Sequence, residues 1–523
     1  MTTLRRAWAP TLLIVVLSVG AYGPSLGGGF VYDDHRFVAH NAAIRSLQNV
    51  PAFFSDPSTV DPEGNWKGIY RPLRTLSYAV DHLFFAADPV GYRIHALLLH
   101  AAASLAAAVL LGRLLRRPRL GLALGALYAV HPVHVESVAW ITSRADVLAG
   151  LLGLLHLLAM QRRGAGRTVL GCAWLALALF AKETSVVLPA IGLLLDRMRP
   201  ARPARPFRRD LARWLPAALL AAAYLGVRHA VLGEHGGQRP FWGDSFWITA
   251  ASMVTGSGWY VLRLVVPEGF RFDWQLPLVA LADLQVWALA AGWALGLGAI
   301  TWQMARGRLR RAGAGGWWFV IALAPVSNVV IPINILVAER FLYLPAVGFL
   351  LVVGAAMAWA VARPKPWGQL AVLAGAVWFV FLAATARDFA RHWSTEKALW
   401  DAVIRHSPAH YRGYQGKAKA LVQAQDLEGA RAALLLAIAR GGWEHASVYF
   451  DMARTYLLED RHPEAIPYLR QAVERWRAGG ETAKNRAYAL TLEQLRDYFH
   501  QVGDAAEAHR MAAWRREASG EPP

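Results

Sequence analysis

Cysteine is almost absent. Cys172 is the single one in 523 residues, so no intrachain disulfide can form, and thiol content says nothing about redox compartment. Charge is scarce as well: 17% of residues are Asp, Glu, Lys or Arg, against 55% hydrophobic residues and 22 tryptophans. That balance excludes an ordinary soluble protein of this length. Acids are the rarer sign, 36 against 55 basic residues, and the net charge is +19. Such basicity would suit nucleic-acid binding if the positives formed one patch. Instead they fall in short loops between apolar runs, as positive-inside topology requires, and nucleic acid is not an expected partner.

What is present is a series of long apolar runs. A short basic start, Met1 to Arg6, precedes a run from about Trp8 to Leu26. No A-x-A-like site closes it, so an uncleaved first helix is expected rather than a signal peptide. Basic clusters follow at Arg113–Arg119, Arg162–Arg167, Arg197–Arg213 (seven arginines), Arg306–Arg311 and Arg363–Lys365. Placing all five inside gives spans near 8–26, 92–112, 120–135, 147–161, 167–181, 184–196, 214–233, 284–305, 315–333, 341–362 and 367–387. The fold class is thus an α-helical polytopic membrane protein with about eleven spans, N-terminus cytoplasmic and C-terminus outside. Residues 244–266 and 70–87 read as helices lying on the outer surface.

The pair 167–181 and 184–196 is too short for two full crossings. Its tip, "AKETS", then lies at or below the outer membrane surface. Two readings stand for Lys182 and Glu183: they face a protein-lined aqueous cavity, or they form a structural ion pair at a helix turn.

In this topology the polar residues gather on one face. The first outer loop, "GGGFVYDDHRFVAHN", carries Asp33, Asp34, His35, Arg36 and Asn41, and reaches "YRPLR" with Arg71. The second, "HPVHVESVAWITSRAD", carries His131, His134, Glu136, Arg144 and Asp146. A later one, "NILVAERFLYLP", carries Asn334, Glu339, Arg340 and Tyr343. Carboxylates at a bilayer edge are costly without work or partners. Four loops delivering acids, bases and cations to one face suit a site that acts on something amphipathic. The His-x-x-His spacing, interrupted by Pro132, is not that of a zinc helix. Histidines that hydrogen-bond a phosphate or orient the acids fit it better, and no divalent metal or other cofactor is expected.

After Arg387 the chain turns polar, Ala-rich and helix-periodic. "DLEGARAALLLAI" from Asp426 returns as "RHPEAIPYLRQAV" from Arg461, 35 residues later, and "DAAEAHRMAA" follows the loop "RAGGETAKN". That period fits tetratricopeptide repeats, about three of them, over 391–523. Such an α-solenoid offers a groove for a protein or peptide partner, or else packs or dimerises.

"VYDD", "YRPL", "HPVHVESVAWITSRADVLA", "AKETS" and "AERFLYLPAVGF", in this order and followed by such repeats, resemble the transmembrane and tetratricopeptide repeat-containing O-mannosyltransferase family. The resemblance covers nearly the whole chain. It implies a GT-C membrane fold over 1–390, a sugar, mannose, carried on a polyprenyl phosphate, and a Ser or Thr hydroxyl of a protein as acceptor. The family's catalytic paired acids fall on Asp33 and Asp34. The family typically has more repeats than the three seen here, which suggests a smaller, bacterial version in the inner membrane with periplasmic repeats.

The chemistry of such a donor suits the constellation. A hydroxyl needs a general base, and a departing phosphate needs cations. Asp33 is expected as base with Asp34 in support, the reverse assignment staying open. Arg340 is expected at the phosphate, supported by Lys182, Arg71 or Arg144, with His131, His134, Glu136, Asp146, Glu183 and Glu339 around the substrates. The phosphate leaves already ionised, so no general acid is required, and direct displacement inverts the anomeric centre. The alternatives are a lipid or glycan acceptor, and a non-enzymatic membrane scaffold; for the latter, Asp33–Asp34 is a solvated turn.

Overall fold

The computed structural model describes residues 2–61, 68–198, 206–233, 240–270, 272, 276–479 and 486–519. Arg199, Arg202 and Arg205 of the third basic cluster, and residues 480–485 of the "RAGGETAKN" loop, lie outside them. Among the described residues the ordered elements are helices, with no strand. The chain divides into two units, residues 1–268 with 272–394, and residues 269–271 with 395–523.

The first unit holds α1 (Thr2–Tyr22), α2 (Val50–Ser55), α3 (Pro72–Phe85), α4 (Pro89–Leu115), α5 (Pro118–Ala129), α6 (Val135–Ala139), α7 (Arg144–Met160) and α8 (Ala165–Ala181). It continues with α9 (Leu188–Met198), α10 (Phe207–Leu232), α11 (Phe246–Val265), α12 (Leu284–Ala305), α13 (Arg310–Leu323), α14 (Pro345–Ala360) and α15 (Trp367–Arg391). Local sequence sets their ends. Asp88 caps α4 by accepting from the Val90 N–H at 2.9 Å, with Pro89 at the first helical position. The same helix stops at Arg116, which takes a left-handed φ of 55° just before Pro118.

Among the described residues six helices are long and apolar enough to cross a membrane: Trp8–Ser25, Pro89–Leu115, Ile141–Met160, Phe207–Leu232, Leu284–Ala305 and Trp367–Arg391. This is a membrane protein. The other five segments read as spans are shorter. Helix α5 has 12 residues, α8 17, α9 11, α13 14 and α14 16. Two of them stop short of the expected limits for a backbone reason. The chain leaves α5 before Pro132 and leaves α13 before Pro325, because proline lacks the N–H that a continuing helix needs. Residues 327–338, half inside an expected span, form no regular helix.

Helix α4 is the hub. It packs against α1, α3, α5, α7 and α14. Gly112 and Gly121 let α4 and α5 touch backbone to backbone; a side chain on Gly121 would strike the Gly112 main chain. The outer helices turn apolar side chains outward, as Leu284, Leu295, Val377 and Val380 show. In water that surface would be costly, whereas hydrocarbon meets it at no penalty.

The second unit consists of α16 (Glu396–His406), α17 (Tyr411–Gln423), α18 (Leu427–Ala439), α19 (Ala446–Leu457), α20 (His462–Ala478), α21 (Arg486–Gln501) and α22 (Ala505–Ser519). Each helix packs on the next. The α17–α18 hairpin, starting at Tyr411, recurs at Ala446 as α19–α20, a shift of 35 residues. Small residues at the contacts, Ala418, Ala430, Ala453, Ala465 and Ala472, are buried against Leu434, Tyr449, Leu469 and Trp476.

Candidate functional site

The acidic loop begins where α1 ends. Gly28 lies directly against the Ser394 carbonyl, a place no side chain could enter. The Gly29 N–H donates to that same carbonyl at 3.0 Å. Arg93, buried on α4, donates to the Gly29 carbonyl at 2.5 Å and to the Trp393 carbonyl at 3.0 Å. The loop is therefore clamped to the end of α15 before it reaches the acids. Tyr32 then takes a left-handed φ of 53°, a strained choice for a bulky residue.

The two acids have different surroundings. Asp34 is 0% exposed. Its carboxylate accepts from the Thr142 N–H at 2.8 Å, the Thr142 hydroxyl at 2.6 Å and the Val31 N–H at 3.3 Å. Burial still pushes its pKa up, opposed by Thr142 and Arg93. Asp33 is partly exposed, and its carboxylate takes no hydrogen bond among the described residues. Desolvation first, and the Asp34 charge second, raise it from 3.8 to about 7, against the pull of Arg36, Arg340 and Arg74. A carboxyl poised near neutrality with free lone pairs can take a proton at physiological pH.

Three ion pairs connect the other loops. Glu136 accepts from the Arg340 N–H at 3.0 Å and from its guanidinium. Arg71 holds Glu183 through two bonds of 3.1 and 2.6 Å. Burial opposes ionisation of Glu183, but the Arg71 charge and hydrogen bonds overcome it and keep the carboxyl well below its ordinary value. Lys182 reaches Asp146 at 2.5 Å. The tip at Lys182–Glu183 thus makes ion pairs across loops, with Asp146 and Arg71, instead of one within the turn.

Lys182 and Asp146 also line a small cavity, together with Thr184, Ser185, Phe341, Tyr343, Leu344 and Pro345. The lining combines charged and apolar side chains, the mixture that an amphipathic ligand needs. Arg340 interacts electrostatically with both Asp33 and Asp146, so the acid and the cavity share one field.

Several expected site residues lie elsewhere. Arg144, expected to support a phosphate, is 0% exposed. It pairs with Asp81 at 2.5 Å and donates to the Tyr92 carbonyl at 2.6 Å, tying α7 to α3 and α4. His131 is buried, with Nε2 3.0 Å from the Leu264 carbonyl. His134 is buried behind Tyr343, their rings 4.8 Å apart. Neither histidine lines the cavity. Glu339 turns away to Arg263 of α11, and burial lifts it to about 7. Asn41 is structural, bonding the carbonyls of Phe37 and Thr59. Three residues not singled out from sequence matter: Thr142, Arg93 and Arg74. An arginine inside an apolar run, as in "GYRIHALLLH", was the readable sign for Arg93; Thr142 carried no such sign.

No family model matches the chain. Curated relatives do. Protein O-mannosyl-transferase TMTC4 of Homo sapiens is 27% identical over 411 residues, 65% of this chain and 54% of that protein. Protein O-mannosyl-transferase Tmtc1 of Drosophila melanogaster is 35% identical over 189 residues, 34% of this chain and 22% of that protein. Protein O-mannosyl-transferase tmtc2 of Xenopus laevis is 34% identical over 199 residues, 35% of this chain and 23% of that protein. The chain spans about half the length of the first of these and less of the other two. Among solved structures it is similar to the Archaeoglobus fulgidus oligosaccharyltransferase tethered with an acceptor peptide. The TM-score is 0.42 and the identity 12%, covering 82% of this chain and 59% of that one.

Proposed function

We propose that this relative of the TMTC protein O-mannosyltransferases is a membrane glycosyltransferase. It transfers a sugar, mannose in this reading, from a polyprenyl phosphate to Ser or Thr hydroxyls of a protein, in a GT-C-like membrane unit. Asp33 acts as the general base. The acceptor oxygen bonds to the anomeric carbon, its proton passes to the Asp33 carboxylate, and the carbon–phosphate oxygen bond breaks with its electron pair leaving on the phosphate. Attack from the opposite face inverts the centre. Arg340, with Lys182 and Arg71, receives the phosphate. Asp34 is a fixed charge that orients the loop.

The observation that carries this reading is the contrast within the acidic pair: one carboxyl buried and bonded to Thr142 and Val31, its neighbour half-buried, without a hydrogen bond among the described residues and pushed up to about 7 by burial. A solvated turn would leave both acids near their ordinary values. The helical hairpins of the second unit are read as tetratricopeptide repeats that hold the protein acceptor, and the five basic clusters support repeats outside the cytoplasm, at a bacterial inner membrane.

The test is transfer by the full chain in nanodiscs, from polyprenyl-phosphate mannose to Ser/Thr peptides, with lipid and glycan acceptors in parallel. Peptide labelling with inverted stereochemistry that disappears in Asp33→Asn is expected. Labelling of a lipid or glycan acceptor alone would replace the protein acceptor, and no transfer to any acceptor would leave a scaffold.

A further inference from the structure

The buried cations around the site are nearly all spoken for. Arg36 pairs with Asp61, Arg71 with Glu183, Arg144 with Asp81, Lys182 with Asp146, Arg263 with Glu339 and Arg340 with Glu136. Arg74 is different. It stands one turn into α3, is 2% exposed, and has no carboxylate within ion-pair distance among the described residues. Its Nε is buried without a hydrogen-bond partner. Its one hydrogen bond is long, 3.5 Å from Nη1 to the Thr142 carbonyl. Two rings flank it, Phe37 at 5.0 Å and Tyr78 at 5.7 Å. A buried guanidinium with donors to spare is expensive, and natural proteins rarely keep one idle.

Its position gives it a task. Thr142, whose carbonyl Arg74 meets, is the residue that holds Asp34. Arg74 interacts electrostatically with Asp33 and with both members of the Arg71–Glu183 pair. It is therefore coupled both to the proposed base and to the Arg71–Glu183 pair. Among the described residues the other buried arginine without a carboxylate partner, Arg93, is held more fully: it donates to the carbonyls of Gly29, Trp393 and Ala139, leaving Nη1 without a partner.

We infer that Arg74, the buried guanidinium with the most unused donors at the site, binds the phosphate of a lipid-linked donor as that phosphate becomes the leaving group. The inference rests on the proposed transferase reading and deepens it. Charge balance supports it. Before transfer, the donor phosphodiester carries one negative charge and ionised Asp33 carries another. After it, Asp33 is neutral and the polyprenyl monophosphate holds both. Transfer thus shifts negative charge from Asp33 onto the phosphate, while the other cations around the site, Arg93 apart, are already matched by carboxylates. A guanidinium that meets the phosphate stabilises its later, more negative form most, which is where catalysis gains.

The experiment measures binding of a polyprenyl monophosphate to the full chain in nanodiscs, beside uncharged polyprenol and inorganic phosphate. Arg74→Gln is expected to weaken polyprenyl monophosphate roughly 10- to 100-fold, the range of a lost charge-assisted hydrogen bond. Polyprenol binding should stay within about twofold, since the lipid contacts are untouched. Arg74→Lys, which keeps the charge, should recover most of the affinity, and it serves as the folded comparison if the glutamine variant unfolds. Inorganic phosphate should bind far more weakly than the lipid phosphate. Equal affinity for the two would overturn the lipid-linked donor. Unchanged lipid-phosphate affinity in Arg74→Gln would overturn Arg74 alone, as would parallel loss of polyprenol binding in both variants. If the unmodified chain bound no polyprenyl monophosphate, the transferase reading would fall, and this inference with it.

Discussion

Replacing Asp33 by Asn separates a general base from a structural acid, because the two predict opposite changes in stability. In the folded chain the carboxyl is raised from 3.8 to about 7, chiefly by desolvation and by the charge of Asp34. Between those values the folded state holds the proton more tightly than the unfolded chain does. Folding stability therefore falls as pH rises through that window, and the full penalty is present above about pH 7. At about 1.4 kcal/mol per decade the ceiling is about 4 kcal/mol. Asp33 is partly open to water, and screening brings the expected value to about 1–2 kcal/mol. Asp33→Asn removes the ionisation and keeps the shape. It should unfold later than the parent at about pH 8.5, and no later below about pH 4. Transfer should meanwhile drop about 10²–10⁴-fold, and the parent's kcat/KM should rise with pH to half its plateau near 7. The assays are thermal unfolding in detergent across pH and single-turnover transfer. An Asn variant that lost stability at high pH would refute the argument, since Asp33 would then be a bonded structural carboxylate.

Asp34→Asn should act differently: it leaves the Val31 and Thr142 donors imperfectly matched, costs about 1–3 kcal/mol of stability, and reduces transfer less than Asp33→Asn. It should also move the midpoint of the pH–rate profile to lower pH, because the Asp34 charge helps raise Asp33. Arg340→Ala should weaken donor use by roughly 2–4 kcal/mol, read as donor affinity, with Glu136 left unpaired as part of the cost. Deleting residues 405–523 should spare donor binding and reduce transfer to full-length protein acceptors more than to short peptides, as a remote binding array predicts; equal losses would make those helices structural. A membrane-impermeant protease on spheroplasts should remove the second unit, and full protection of 400–523 would overturn the outward topology.

Helix was legible wherever one period dominated. The 35-residue recurrence of Asp426 and Arg461 in sequence reappears as helix starts at Leu427 and His462. Span limits were less so, because a window of apolar residues does not register where the backbone stops: Pro132 and Pro325 end helices inside runs that stay apolar. The acidic doublet stood out because carboxylates next to a membrane run are rare. Its division of roles did not, since it depends on Thr142, 108 residues away. The same holds for the cations. Arg340 and Arg144 look alike as loop arginines, yet one meets Glu136 across 204 positions and the other is sealed against Asp81. Partners at such separations are chosen by tertiary packing, which no local pattern encodes.

One stretch coordinates nearly all of these choices. Between Glu136 and Asp146, successive residues reach out to different loops. Glu136 takes Arg340, the Ala139 carbonyl accepts from Arg93 at 3.3 Å, and the Ile141 carbonyl accepts from Tyr78 at 2.9 Å. Thr142 takes Asp34, Arg144 takes Asp81, and Asp146 takes Lys182. Two short helical turns, broken at Trp140, let side chains and carbonyls leave in several directions, which one straight helix could not do. Trp140 itself stacks on Trp393, with ring centroids 5.6 Å apart, and fixes the break. These loops are therefore each held to this stretch, and Arg71 with Glu183 ties two of them to one another as well. A change in one partner, such as Lys182, disturbs one spoke. A change that straightens the break at Trp140 displaces acid, cation and cavity together. Such anchoring is what the site needs if it is to hold a half-buried carboxyl near neutrality beside Asp34, because a loose loop would let water in and return Asp33 to an ordinary, weakly basic carboxylate.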